Sequence, residues 1–207
     1  MYQRQITSIQ SIRSLQKMKL IQIRIILLLI LAYLSLNTIV KAADIAVGKD
    51  KAAPCLQCHG SNGNSKSPQY PSLAGQRALY IESQLKNFQS GQRTNSVMQG
   101  MVAKLTKSDI LNISAYFADL TPKSAGTGDL SLTKKGEQKF AMCTGCHGSL
   151  AQGRGSFPKL AGQQAKYIEK QLLNFKSRSR KGGPMNAMTS SLSEQDIKEI
   201  AAYLGNL

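Results

Sequence analysis

Cys55-Leu56-Gln57-Cys58-His59 and Cys143-Thr144-Gly145-Cys146-His147 between them hold all four cysteines and both histidines of the 207-residue chain. Two thiols separated by two residues and followed directly by an imidazole form the attachment pattern for c-type haem. The thiols bond to the vinyl groups as thioethers, and the histidine ligates iron from one face. Other chemistries fit less well. A closed zinc site wants four N or S donors, so one shared site would leave ligands idle and two sites would each lack one. A redox C-x-x-C needs a βαβ surrounding that these flanks do not supply. A disulfide closing so small a loop is strained. The pattern therefore predicts two covalently bound haem c groups, held by Cys55, Cys58, Cys143 and Cys146, with His59 and His147 on iron.

Each iron then needs a sixth ligand. With both histidines committed, bis-His ligation is excluded, and Met142 adjoins Cys143 and cannot reach the far side of its own haem. The thioethers left outside the first 42 residues are Met98, Met101, Met185 and Met188, 38 to 42 residues beyond the histidines. Methionine usually fills cores, but two irons each lacking a partner reverse that expectation. A lysine would first have to lose its proton. Spacing alone leaves Met98 open against Met101 and Met185 open against Met188. His/Met ligation raises the reduction potential relative to bis-His, which suits a carrier working near an oxidase.

The elements that position these groups are written twice. The halves are offset by 88 residues at the cysteines and by 87 from Leu73 and Leu160 onward, so one residue is deleted between motif and leucine. Tyr70-Pro71-Ser72-Leu73-Ala74-Gly75-Gln76 matches Phe157-Pro158-Lys159-Leu160-Ala161-Gly162-Gln163, and Tyr80-Ile81-Glu82 matches Tyr167-Ile168-Glu169. Two copies mean tandem domains, not a solenoid. At about 80 residues each copy is near the lower limit for one core, and the apolar face of a haem makes up the difference. The turn formers from Thr121 to Asp129 read as a linker, which places the domains at 43–121 and 131–207 around a linker at 122–130.

The fold class expected is all-α. Ile110, Ile113, Phe117 and Leu120 fall at helical spacing, as do Ile197, Ile200, Leu204 and Leu207. Thr106-x-x-Asp109 and Ser193-x-x-Asp196 give capping signals at the start of those helices. A second amphipathic stretch runs through Ile81, Leu85 and Phe88 and recurs at Ile168, Leu172 and Phe175. A shorter helix should precede each motif, where Gly48 and Gly136 would let another helix cross closely.

Residues 1–42 carry Arg4, Arg13, Lys17, Lys19, Arg24 and Lys41 and no acid, then an apolar run from Ile25 to Leu36 and a Val40-Lys41-Ala42 cleavage sequence. This reads as a cleaved signal peptide, with Met18 as an alternative start. The run is shorter than the roughly 20 residues a spanning helix needs. The remaining chain is expected to be a periplasmic protein.

Taken together, both C-x-x-C-H motifs, the Pro-x-Leu-Ala-Gly-Gln segments at Pro71 and Pro158, and the Met-x-x-Met-x-x-x-Leu runs opening at Met98 and Met185 resemble the dihaem cytochrome c4 family. The likeness covers nearly all of residues 43–207. It implies two tandem class I cytochrome c domains, each wrapped around one haem, and Met98 and Met185 as the distal ligands. Pro184 suits Met185, since its fixed φ would stiffen the presenting loop; Val97 stands there in the first copy. The resemblance further implies that the Pro71 and Pro158 carbonyls accept from Nδ1 of His59 and His147, fixing the tautomer.

The chain has a net charge of +16. Beyond residue 42 it has 21 Lys and Arg against 11 acids, and ionised propionates would lower the balance further. Lys176-Ser-Arg178-Ser-Arg180-Lys181 is the densest basic run, either a solvated loop or a docking patch for an acidic partner. Contact with an anionic membrane surface suits the charge; nucleic acid does not suit the compartment. The function expected is a monomeric, non-enzymatic carrier passing single electrons from a quinol-oxidising complex or dehydrogenase to a terminal oxidase or reductase. The alternative is the dihaem electron-accepting subunit of a dehydrogenase, such as a flavocytochrome sulfide dehydrogenase.

Overall fold

In the computed structural model residues 16–31 and 42–207 are described. The chain divides into two compact units, residues 1–42 and 43–207. Of the first unit, 16–31 form a helix (α1) whose side chains are all exposed. Among the described residues no helix is long and apolar enough to cross a membrane. Arg4, Arg13, Val40 and Lys41 of the expected leader lie outside the described residues.

The second unit is built from helices, as the periodicity predicts. Its elements are α2 (Ile45–Ala52), α3 (Leu56–His59), α4 (Ala78–Gln89), α5 (Ser96–Val102) and α6 (Lys107–Asp119). They are followed by α7 (Thr133–Phe140), α8 (Thr144–His147), α9 (Ala165–Lys176), α10 (Pro184–Ser190) and α11 (Glu194–Asn206). Among the described residues the nearest thing to a strand is one isolated bridge between Arg154 and Phe157. Two apolar clusters form the cores. One gathers Ile81, Leu85, Phe88, Val102, Ile110, Ile113 and Phe117; the other gathers Phe140, Ile168, Leu192, Ile197, Ile200 and Leu204.

The helix before each motif crosses the last helix of its half, α2 on α6 and α7 on α11. Glycine makes this approach available. A Cβ at Gly48 would stand 2.1 Å from the Asn112 carbonyl oxygen, and one at Gly136 would stand 1.9 Å from that of Glu199. Both capping boxes are made: the Thr106 and Ser193 side chains accept from the Asp109 and Asp196 amides, and each carboxylate accepts in return from the cap amide. The orphan donors of α6 and α11 are thereby satisfied at their first turns.

The linker is tied down at both ends. Asn64 donates to the Thr121 carbonyl and accepts from the Lys123 amide. Further on, Ala125 and Gly126 donate to the carbonyls of Gly162 and Gly205, each at 3.0 Å. The Asn64 side chain therefore holds 121–123 to the first half, and backbone hydrogen bonds hold 125–126 to the second.

Candidate haem sites and the seam between them

Each attachment motif is a short continuation of the helix before it. A single 3₁₀ turn, Ala53–Cys55 or Ala141–Cys143, leads from α2 into α3 and from α7 into α8. The motif stops at Gly60 and Gly148, whose φ values of 89° and 84° end the helix directly after the histidine. All four thiols are free. Cys55 and Cys143 pack against the two cores, whereas Cys58 and Cys146 are exposed. Burial pushes the Cys55 and Cys143 thiols up.

His59 and His147 are both buried. Nδ1–H of His59 donates to the Pro71 carbonyl at 2.8 Å, and Nδ1–H of His147 donates to that of Pro158 at 3.0 Å. A carbonyl only accepts, so the proton is on Nδ1 and the Nε2 lone pair is left for a metal. Burial holds both imidazoles below the ordinary histidine value, while the proline carbonyls act in the other direction. The neutral ring is the form that binds iron. An aromatic edge flanks each ring, Tyr70 at 6.4 Å from His59 and Phe157 at 6.3 Å from His147 between centroids.

The one-residue deletion falls between Ala151 and Phe157. There the Arg154 and Phe157 backbones bond to each other and shorten the turn. Pro158 still reaches His147, so the shorter loop keeps the bond the resemblance implied.

The four thioethers separate by exposure. Met98 is half-buried and packs on the first core; Met185 is half-buried at the start of α10. Met101 and Met188 are exposed, at 41% and 38%. In α5 the Asn95 side chain caps the helix by accepting from the Met98 amide. In α10 Gly183, at φ 52°, and Pro184 at the first helical position replace that cap.

The basic run holds a correction. Read as a solvated loop or docking patch, it contains Arg180, which is only 8% exposed. Its guanidinium lies over the Phe175 ring at 4.4 Å and donates to Gln171, to the Tyr80 hydroxyl and to Gln84. Arg93, 87 residues earlier, lies over Phe88 at 4.6 Å and donates to Gln84, to the Tyr167 hydroxyl and to Gln171. Each arginine thus crosses to the other half, and the seam has a pseudo-twofold axis. Neither arginine forms an ion pair among the described residues. Burial would raise the Tyr80 phenol, but the Arg180 and Arg93 charges outweigh it and hold the group below the usual tyrosine value. Two poorly hydrated cations with neutral partners make a place that favours an anion. The free thiols and the available Nε2 atoms fit a covalently attached haem in each half.

The cytochrome c family profile matches residues 133–207. Cytochrome c4 of Pseudomonas aeruginosa is 37% identical over 181 residues, 80% of this chain and 90% of that one. A thiosulfate dehydrogenase electron acceptor of Thiomonas intermedia is 35% identical over 178 residues, 78% of this chain and 82% of its own. The crystal structure of reduced cytochrome c4 from Pseudomonas stutzeri superposes with a TM-score of 0.76 at 34% identity, covering 80% of this chain and all of that one. The fold is accordingly the class I cytochrome c fold, and the chain carries two covalent haem c groups at its two motifs. With relatives of that identity spanning most of both chains, this protein belongs to the dihaem cytochrome c4 family of electron carriers.

Proposed function

We propose that the chain carries single electrons in the periplasm, between a quinol-oxidising complex or dehydrogenase and a terminal oxidase or reductase. The observation that carries this is the matched pair of buried histidines, each with Nδ1 committed to a proline carbonyl beside two free thiols. Bound haem supplies a one-electron iron couple. Cys55, Cys58, Cys143 and Cys146 would anchor it, and Nε2 of His59 and His147 would ligate its iron. Met98 and Met185 would supply the sixth ligands, favoured over Met101 and Met188 by their greater burial. With Met98 and Met185 as the sixth ligands no coordination position would be left for substrate, which would direct the protein to electron transfer instead of turnover. Residues 1–42 act as the export signal, with 43–121 and 131–207 as the two haem domains.

The decisive experiment mixes reduced holoprotein with respiratory membranes and oxygen in a stopped-flow instrument. Rapid, salt-sensitive oxidation in the presence of membranes, with no oxygen or peroxide consumption by the protein alone, is the expected result. Peroxide turnover by the isolated protein would overturn it. The dehydrogenase-acceptor relative favours a second reading, in which the donor is a dehydrogenase of a small sulfur compound. Stoichiometric co-purification with a larger flavoprotein would establish the subunit role instead of the free carrier.

A further inference from the structure

The seam has a second reciprocal feature, at the proline loops. Gln163 Oε1 accepts from the Ser72 amide at 2.8 Å, and its Nε2 donates to the Ser72 carbonyl at 2.9 Å. In mirror fashion, Gln76 Oε1 accepts from the Lys159 amide at 2.7 Å and its Nε2 donates to the Lys159 carbonyl at 2.8 Å. Both glutamines are buried. The clamped amides are not arbitrary. Ser72 N–H belongs to the same peptide group as the Pro71 carbonyl that accepts from His59, and Lys159 N–H belongs to the same peptide group as the Pro158 carbonyl that accepts from His147.

A peptide that donates through N–H becomes a stronger acceptor at its oxygen, by roughly 10–30% per bond in condensed-phase estimates. A stronger acceptor at Nδ1–H makes the imidazole a better electron donor through Nε2. That donation favours ferric over ferrous iron and lowers the potential. Each amide clamp also fixes the plane of the peptide against the ring.

We propose that Gln163 is a positioning residue for the haem centre of His59, and Gln76 for that of His147, so that each centre is tuned by the opposite half of the chain. The proposal rests on His59 and His147 being the iron ligands. It goes beyond that reading in predicting which centre each glutamine affects. Gln164 supplies the control: its Nε2 also crosses the seam, to the Ser65 carbonyl at 2.6 Å, but touches neither proline peptide.

The test is a per-centre redox titration of the holoprotein followed by NMR, together with hydrogen exchange at the two Nδ1–H protons. Gln163→Leu should raise the His59 centre so that its oxidised-to-reduced ratio at fixed potential falls about threefold. For a one-electron couple that is about 30 mV at 59 mV per tenfold. The His59 Nδ1–H should exchange faster, and the His147 centre should move by less than a third as much. Gln76→Leu should give the converse, and Gln164→Leu should move neither. Gln163→Asn keeps an amide but draws it back by one methylene, and reads the same sign if the leucine variant does not fold. Equal shifts at both centres, shifts on the uncrossed centre, or an equal effect from Gln164→Leu would overturn the proposal in favour of general loosening of the seam. A parent protein with no iron-shifted His59 ring signals would instead show that the ligand assignment had failed.

Discussion

Gly136→Ala puts a methyl group into the tightest crossing in the fold. The new Cβ would stand 1.9 Å from the Glu199 carbonyl oxygen, 2.6 Å from its carbon and 2.8 Å from the Tyr203 Cβ. Ordinary contact needs about 3.5 Å, so α7 must withdraw from α11 by roughly 1.5 Å. The first two obstacles are helix backbone and do not swing aside. Overpacking of this kind costs about 1–3 kcal/mol, while alanine in place of glycine returns about 0.5–1 kcal/mol of helix stability. The net expectation is a loss of about 1–2 kcal/mol, or roughly 2–8 °C in Tm for a protein of this size. Because α7 leads through one turn into Cys143 and His147, the second haem should show the strain first. Gly100→Ala is the comparison. It lies in α5 with nothing within 4 Å of its Cβ, so helix propensity alone should raise its Tm by about 1–4 °C. Thermal unfolding of the holoproteins reads both. A Gly136→Ala variant melting at or above its parent would refute the close-crossing argument, since propensity would then be the dominant effect at both glycines.

Met98→Ala and Met185→Ala should each remove about half of the near-infrared sulfur-to-iron charge-transfer band and lower one potential. The same change at exposed Met101 or Met188 should leave the band intact, and losing it there would invert the ligand assignment. Arg178→Gln with Lys181→Gln should flatten the salt dependence of partner association while leaving both potentials unchanged, because exposed charge steers encounter. Arg180→Gln should instead perturb the seam and the visible spectrum. Thr106 and Lys51 hold the Asp109 carboxyl at about 2, below its ordinary 3.8. A depressed folded value contributes stability above the unfolded value and loses it as pH falls from about 4 towards 2. Asp109→Asn should therefore be less stable than its parent at pH 7 and show a shallower loss across that acid window in denaturant titrations. A difference that stays constant from pH 7 to pH 2 would rule out the linkage.

The helical frame was legible because its signals are local. Capping residues, period-3.6 apolar positions and a glycine seven residues before each first cysteine act within one or two turns, or through a steric requirement only glycine meets. The attachment motifs were legible for the same reason. The choice of methionine was not, since Met98 and Met101 repeat equally well; their exposures depend on how α5 lies against its core. Arg180 is not legible from its run, because its neighbours Arg178 and Lys181 are exposed while it is buried, and proximity in sequence does not fix a shared environment. A signal was available. Arg93 and Arg180, Gln84 and Gln171, Tyr80 and Tyr167, and Gln76 and Gln163 all repeat at the 87-residue offset. Duplicated polar residues in amphipathic or loop segments are what a two-sided seam requires, although spacing alone does not say which half each will touch.

The reciprocal seam has a consequence for how the two halves stay together. Each supplies the same side chains to the other, which is the pattern of an isologous contact in a C2 homodimer. Here the two protomers are joined in one chain by a segment that is itself bonded to both. Such a join replaces a bimolecular equilibrium with an intramolecular one at millimolar effective concentration, so the contact can be polar and moderate in strength without dissociating on dilution. It also frees the halves from identity. Asn112 occupies in the first half the place that Glu199 occupies in the second, and Ser72 the place of Lys159, because in a tethered pair a substitution changes one side only. A symmetric assembly of separate subunits must keep its two centres equivalent. One continuous chain is free of that constraint, so its two centres can differ in potential.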